Sequence, residues 1–325
     1  MVRTHIRVSR SDGREFPNAS IAFRELIGTI TELSRREYIR MRPLLRGGAQ
    51  FIDAHGFTWS SVGGTISEES ILWSDFTFGV ELELLAPVSL HDIREMLDTN
   101  LFGTWSVVPD GSLQSDIGFY AMEIVSPILQ GEAGIFALTA VTNLLKAKGC
   151  RVNNSCGMHV HIGVRGMKPT RLRKIAVAFL NSEHNFDELV PPGRNVNRYC
   201  RSNQGVSLRQ HEQLETATSV SMLGVCMNGG NSTQHYNNYR YHKLNFQSFV
   251  RHGTIEFRQH GGTVESEKAV AWVRLIAGFC AHAASQPQQT RTRVEFDAFL
   301  SGAIGDDAEL NTYLRARRAK FSRTR

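Results

Sequence analysis

The chain has 325 residues, of which 41% are hydrophobic and 21% are charged, a balance typical of a folded globular protein. This composition excludes a disordered or fibrous chain. The most apolar stretch, residues 269–284, contains Arg274 and His282 and so falls short of the ~18 uninterrupted apolar residues of a membrane span. The first residues lack the apolar core of a secretory signal, so we expect a cytoplasmic protein.

The distribution of charge argues against a nucleic-acid-binding body. The formal net charge is +6, but residues 315–325 carry six basic side chains and no acid, so the rest of the chain is formally neutral. We interpret residues 301–325 as a basic, solvated C-terminal tail, with an anionic partner as the alternative. The five cysteines are odd in number and form no C-x-x-C pair, which indicates neither a disulfide framework nor a zinc knuckle.

Residues 1–73 have a mixed pattern in which only 21–45 shows helical spacing, and we interpret them as a partly helical N-terminal extension. From residue 75 onward, runs rich in β-branched and aromatic residues alternate with amphipathic runs. Strands are predicted over 76–84, 105–109, 119–126, 158–164, 241–250 and 253–259. Helices are predicted over 90–97, 134–148, 170–189 and 266–284.

Local signals place the ends of these elements. Ser89 is positioned to cap the first helix, Gly149 to end the second, and residues 251–253 to join the last two strands as a hairpin. The pattern predicts an α+β catalytic domain over residues 74–300. Its sheet is expected to be largely antiparallel, with helices packed on one face.

Three predicted strands carry polar side chains two residues apart. The pairs are Glu81 with Glu83, His159 with His161, and Glu256 with Arg258. Because successive side chains on a strand alternate between faces, the members of each pair point the same way. The intervening residues Leu82, Val160 and Phe257 are apolar and are expected to face the helices.

Carboxylates and imidazoles gathered on one sheet face repel and desolvate one another unless a cation compensates them. Each pair taken alone fits an ordinary solvated strand face, so the inference depends on the combination. A carboxylate-rich set with a single nitrogen donor favours Mg²⁺ or Mn²⁺ over zinc. Hard cations held in this way usually bridge phosphates.

The strings GVELEL (79–84), CGMHVHIG (156–163) and GTIEFRQH (253–260) resemble the signature strands of the amidoligase family. This family belongs to the carboxylate-amine ligase superfamily, with glutamine synthetase and γ-glutamyl-cysteine ligase. Shorter matches support the resemblance, at 123–127, 194–199 and 244–245. The order and spacing of the strings both fit.

The resemblance implies ATP-dependent formation of an amide bond through an acyl phosphate, inside a bowl-shaped antiparallel sheet like the glutamine synthetase catalytic domain. It implies Mg²⁺ or Mn²⁺ between the nucleotide and the substrates. The metal ligands that it implies are Glu81, Glu83, Glu123, His159 and Glu256. It also implies that His161 and Arg258 contact the substrate or the transferring phosphate.

Four further residues are candidates for substrate or ATP binding. Asp110 fits either the acidic cage or a plain Asp-Gly turn. Arg194 and Arg198 fit either contacts with a substrate carboxylate or triphosphate, or a solvated loop. Asn245 fits either a substrate contact or the polar face of a strand.

Three functions remain open at this point. The leading hypothesis is a ligase that couples a carboxylate, of an amino acid or peptide, to an amine. A metal-dependent hydrolase is the first alternative, because His-x-His with carboxylates also activates water. An inactive binding module is the second. The stretch 228–232 lacks the Lys of a Walker motif, so we interpret it as a flexible lid.

Overall fold

The apolar residues follow two spacings, one with a period of two residues in the strands and one with a period of about 3.6 residues in the helices. The computed structural model describes residues 3–16, 50–52, 58–66, 71–100, 104–205, 207–230, 238–287 and 289–322. Our prediction of a helix over 21–45 lies outside these residues, as does part of the expected lid.

The N-terminal part contains a small sheet that the sequence analysis did not predict. Its strands are β1 (Arg3–Arg10), β2 (Glu15–Phe16), β3 (Gln50–Ile52) and β4 (Thr58–Ile66). Their order is β2-β1-β4-β3, and all pairings are antiparallel. These strands are rich in Ser, Thr, Gly and Arg, so they lack the apolar alternation by which a strand is recognised.

The larger sheet has seven strands, and every pairing in it is antiparallel. The strands are β5 (Thr77–Ala86), β6 (Ser106–Pro109), β7 (Tyr120–Val125), β8 (Leu129–Gln130), β9 (Gly157–Gly163), β10 (Leu244–Asn245) and β11 (Thr254–Gly261). Their order is β10-β11-β9-β5-β7-β6, and β8 pairs with the start of β5. The α+β prediction with a largely antiparallel sheet is therefore confirmed.

Helices follow most of these strands. Among the described residues they are α1 (Leu90–Asn100), α2 (Gly131–Ala147), α3 (Pro169–Asp187), α4 (Pro192–Asn195), α5 (Leu208–Leu214), α6 (Val220–Asn228), α7 (Ser248–His252), α8 (Ser266–Ser285), α9 (Phe296–Ile304) and α10 (Ala308–Ser322). None of them is long and apolar enough to cross a membrane. Ser89 caps α1 as predicted, because its Oγ accepts from the Asp92 N–H at 3.3 Å.

The core lies between the central sheet and α2, α3 and α8. Leu82, Val160 and Phe257 are fully buried there, as their place between polar neighbours predicts. The ring of Phe186 on α3 meets that of Phe257 at 6.2 Å and that of Trp272 on α8 at 5.9 Å. This apolar layer holds one face of the sheet, so the polar pairs are left to the other face.

The two strands expected over 241–259 pair antiparallel, but the predicted length of the first strand and the turn at 251–253 are wrong. The first strand has only two residues, and α7 occupies the place of the turn until Gly253, at φ +69°, ends it. After Asn245 the backbone leaves the sheet, because Phe246 N–H donates to Asn228 Oδ1 at 2.9 Å and Gln247 N–H donates to Asn245 Oδ1 at 2.8 Å. Neither amide then pairs with β11.

The interpretation of residues 301–325 as a solvated tail is also wrong for its described part. Leu314 of α10 is buried against the body of the protein. The guanidinium of Arg317 donates from Nε to Leu189 O at 2.6 Å, and its Nη2 lies 2.9 Å from His260 Nε2. A basic segment with apolar residues at helical spacing therefore docks as a helix. The domain boundaries expected after residues 73 and 300 remain predictions.

Candidate active site

Strand register brings the predicted polar pairs together on four neighbouring strands. The facing pairs are Glu81 with His159, Glu83 with Glu123, and His161 with Glu256. Residues directly opposite one another in an antiparallel pair have Cβ atoms about 5 Å apart. These six side chains form one group on β7, β5, β9 and β11, which we call the acidic cluster.

Glu81 lies between the two imidazoles. Its Oε2 is 2.9 Å from His159 Nδ1, and its Oε1 is 3.2 Å from His161 Nε2. Burial by itself would raise the pKa of Glu81, but the hydrogen bonds with both histidines outweigh it and hold the pKa well below its ordinary value. Glu81 is therefore an anion that the protein itself compensates.

Glu256 is the most deeply buried carboxylate of the cluster, with a side chain 5% exposed. Arg258 Nη1 donates to its Oε1, and Asn245 Nδ2 donates to its Oε2 at 2.7 Å. Burial would raise the pKa of Glu256, but the charges of Arg258 and His161 lower it below the ordinary value. Asn245, predicted to contact substrate or ATP, thus holds this carboxylate in place.

The other end of the cluster joins three carboxylates. Glu83 Oε2 accepts from the Gly157 N–H at 2.5 Å. Asp110 lies close to both Glu83 and Glu123, and its Oδ1 also accepts from Ser112 N at 2.8 Å. Asp110 holds its turn and also places a carboxyl group at this end of the cluster.

The crowding of carboxylates at this end changes the pKa of Glu123. Burial, followed by the charges of Glu81, Glu83 and Asp110, raises its pKa to about 8. At neutral pH this carboxyl is protonated for most of the time in the absence of a cation. A metal ion at this end would have to displace that proton.

Two arginines of the segment after α3 occupy different places. Arg194 is buried and donates to the backbone oxygens of Gln259 and Arg258 at 3.2 and 2.9 Å. It makes no ion pair with any residue that the structure describes, although its Nη2 lies over Gly157 beside Glu83. Arg198 is exposed and bonds Tyr199 Oη at 2.7 Å. Arg194 reaches the cluster, and Arg198 reaches only its rim.

The donor chemistry fits a hard divalent cation. Three sets have ligand atoms within 4.8 Å of one another: Glu81, His161 and Glu256; Glu81, Glu123 and His159; and Glu83, Asp110 and Glu123. Each set has two or three carboxylates and at most one imidazole, which suits Mg²⁺ or Mn²⁺. The predicted ligands all belong to these sets. The sets also include Asp110, for which the acidic cage was one of two interpretations, and His161, which was expected to contact the substrate or the transferring phosphate.

A cavity of about 790 Å³ opens beside the cluster. Glu81 and His161 line it together with the start of β5 and the end of β9, and Arg165, Lys168 and His252 belong to its wall. These last three residues are not among the site residues predicted from the sequence. The Arg-His-Gly string was visible at 251–253, but its interpretation as a hairpin turn hid the possibility of a site contact.

Comparison with known proteins gives the class. A family model described as "Putative amidoligase enzyme" matches residues 74–280, which include the whole central sheet. Together with the fold, this match defines a ligase-type enzyme. Because it covers more than half of the chain, the chain belongs to the amidoligase family, and the resemblance found in the sequence is confirmed.

Solved structures and curated sequences add little detail. The chain is similar to the "Crystal structure of novel glutamine synthase homolog", with 12% identity and a TM-score of 0.35 over 76% of this chain and 65% of that chain. It is also similar to "GmaS/ADP complex-Conformation 1", with 14% identity and a TM-score of 0.35 over 77% of this chain and 68% of that chain. The first match spans slightly less than two thirds of that protein. No curated protein sequence matches the chain.

Proposed function

We propose that this protein is an ATP-dependent carboxylate-amine ligase that uses Mg²⁺ or Mn²⁺ and forms an amide bond on an amino acid or peptide. The observation that carries the proposal is the acidic cluster itself. Four carboxylates and two imidazoles converge from four strands, next to a cavity large enough for a nucleotide. Family membership supports the ligase class.

The metal would be held by Glu81, Glu83, Glu123, His159 and Glu256, with Asp110 and His161 within reach. When bound, the ion supplies positive charge for the phosphate oxygens of the nucleotide. The protein provides the rest of the electrostatics. Arg258, fixed by Glu256, offers a planar guanidinium to the phosphoryl group in transfer.

The reaction has two displacements. The substrate carboxylate attacks the γ-phosphorus of ATP, the bond to the β-phosphate oxygen breaks, and ADP leaves. The amine nitrogen then attacks the acyl carbon, releases inorganic phosphate and loses a proton. The acyl phosphate must be kept from water, which would otherwise hydrolyse it.

The two ends of the cluster suggest where the reactants lie. The cavity reaches Glu81 and His161, so we assign the nucleotide to it. Arg194, buried and without an ion pair among the described residues, lies at the Glu83 end. A buried guanidinium without a carboxylate partner is costly unless a ligand supplies an anion. We assign the substrate carboxylate to that end.

Calorimetric titration tests this proposal without knowledge of the substrates. A non-hydrolysable ATP analogue should bind in the presence of Mg²⁺ or Mn²⁺, and the heat should vanish with EDTA. Glu81→Gln should abolish this binding, because it removes the carboxylate shared by two candidate metal sets. Glu309→Gln, exposed on α10, is the matched control and should bind normally. Equal affinity in Glu81→Gln and wild type would refute the site.

The hydrolase alternative predicts a different result. A metal-dependent hydrolase would bind Mn²⁺ through the same residues but would show no affinity for the nucleotide analogue. Hydrolysis of amides or esters by the metal-loaded protein, without ATP, would then replace the ligase assignment.

A further inference from the structure

The wall of the cavity beside Glu81 carries side chains that the acidic cluster leaves unused. His252 comes from the last residue of α7, and Arg165 comes from the loop between β9 and α3. The His252 ring lies 5.7 Å from the ring of His161, edge to face. His252 therefore continues the line of polar groups from Glu81 through His161 into the cavity.

Gly253 explains how Arg165 reaches the same place. A Cβ atom on Gly253 would lie 2.7 Å from Arg165 Nε, and the backbone there has φ +69°, which favours glycine. Because Gly253 has no side chain, the guanidinium of Arg165 can lie against its backbone. Arg165, from the loop after β9, thereby packs beside Gly253, the residue that follows His252.

The lining of the cavity carries charges of both signs. Glu81 and Asp75 contribute carboxyl groups, and Arg165 and Lys168 contribute cationic groups. Within the part of the chain that the structure describes, neither of these two side chains has a hydrogen bond or an ion pair. An anion supplied by a ligand would compensate them. A guanidinium matches phosphate through two parallel hydrogen bonds, and an imidazole N–H adds a third donor.

We infer that Arg165 and His252 bind the polyphosphate chain of the nucleotide, outward from the metal held at Glu81. The inference rests on the proposed function and adds two binding residues to it. A nucleoside triphosphate has the required distribution of charge, since its γ-phosphate meets the metal and its β-phosphate lies toward the cationic wall. A ligand with a single anionic group would not reach both ends.

The test compares nucleotides of decreasing phosphate number. Arg165→Ala and His252→Ala are titrated with the ATP analogue, ADP and AMP at fixed Mg²⁺ and ionic strength. The ATP analogue and ADP should bind each variant about 10- to 100-fold more weakly than the wild type, the range of a lost charge-assisted hydrogen bond. AMP affinity should change by less than about twofold, because AMP lacks the contacted phosphates.

Controls separate this role from bulk charge and from folding. Arg251→Ala removes an exposed positive charge beside His252 but outside the cavity, and it should bind all three nucleotides normally. Arg165→Lys keeps the positive charge but lacks the planar guanidinium. Its affinity for ADP and the ATP analogue should lie between those of the wild type and Arg165→Ala. Thermal unfolding should be unchanged in all of them, because both side chains are exposed.

Wild-type affinity for ADP in Arg165→Ala and His252→Ala would overturn the inference while leaving the ligase proposal intact. An equal loss for AMP and ADP would also overturn it, because the contact would then be to the nucleoside or to the α-phosphate, which AMP shares with ADP. If the wild-type protein binds no nucleotide in any metal, the proposed function fails, and this inference fails with it.

Discussion

The two ends of the acidic cluster solve the same electrostatic problem differently. At the Glu81 end the protein supplies the opposite charge itself, through two histidines and Arg258, and carboxyl pKa values fall. At the Glu123 end carboxylates face one another and the pKa of Glu123 rises to about 8. The first end is organised in advance, whereas the second depends on an added cation.

The largest expected effect comes from removing a carboxylate at the Glu81 end of the cluster. Glu256→Ala leaves the buried guanidinium of Arg258 without its carboxylate, and we expect a loss of about 3 to 5 kcal/mol in the free energy of unfolding. Urea denaturation in EDTA measures it. The double variant Glu256→Gln, Arg258→Met should lose less than the sum of its single variants, since no charge is left unpaired. Strict additivity would show that the pair is not coupled.

The second prediction concerns the cation. Mn²⁺ at about 100 times its dissociation constant should raise the free energy of unfolding by about 2.7 kcal/mol. Mn²⁺ should not stabilise the Glu83→Gln and Glu123→Gln variants in this way. Both residues belong to the set of three carboxylates at the Glu123 end of the cluster. Differential scanning calorimetry with and without metal measures the effect. Undiminished stabilisation by Mn²⁺ in both variants would place the ion elsewhere.

The smallest expected effect is a difference in stability that grows as the pH rises. The pKa of Glu123 is raised from 4.5 to about 8 in the folded protein, so its contribution to stability is complete below pH 4.5 and is lost as the pH rises toward 8. In EDTA, the free energy of unfolding of Glu123→Gln should therefore equal that of the wild type at pH 4. At pH 8 it should be higher than that of the wild type by on the order of 2 kcal/mol after solvent screening.

Paired thermal melts at pH 4 and pH 8 decide this case. A Glu123→Gln variant that is less stable than wild type at pH 8 without metal would show that the carboxylates at this end do not repel one another. The comparison between the two ends would then no longer hold.

Much of the site follows from alternation along single strands. The spacing of Glu81 and Glu83, or of His159 and His161, is enough to place both members of a pair on one face. Apolar neighbours such as Val160 decide which face is buried. The candidate metal ligands were therefore accessible from the sequence, although their role remains a prediction.

The rest of the site depends on contacts between distant segments. Asp110 joins Glu123 because β6 pairs with β7, and no local pattern sets that register. Arg165 packs beside Gly253, the residue after His252, only because Gly253 has no side chain. The backbone amides that follow β10 donate to the side chains of Asn228 and Asn245, so the chain enters α7 instead of continuing the strand.

By itself the sequence determined the class of fold, the polar face of each strand and the family, because these depend on the order and spacing of residues along the chain. Only the tertiary structure decided which carboxylates are compensated, which one takes up a proton, and how the basic C-terminal segment docks. Those outcomes depend on distance and burial, which set the strength of every charge interaction. The pairing of Arg317 with Leu189 and His260 is one such outcome.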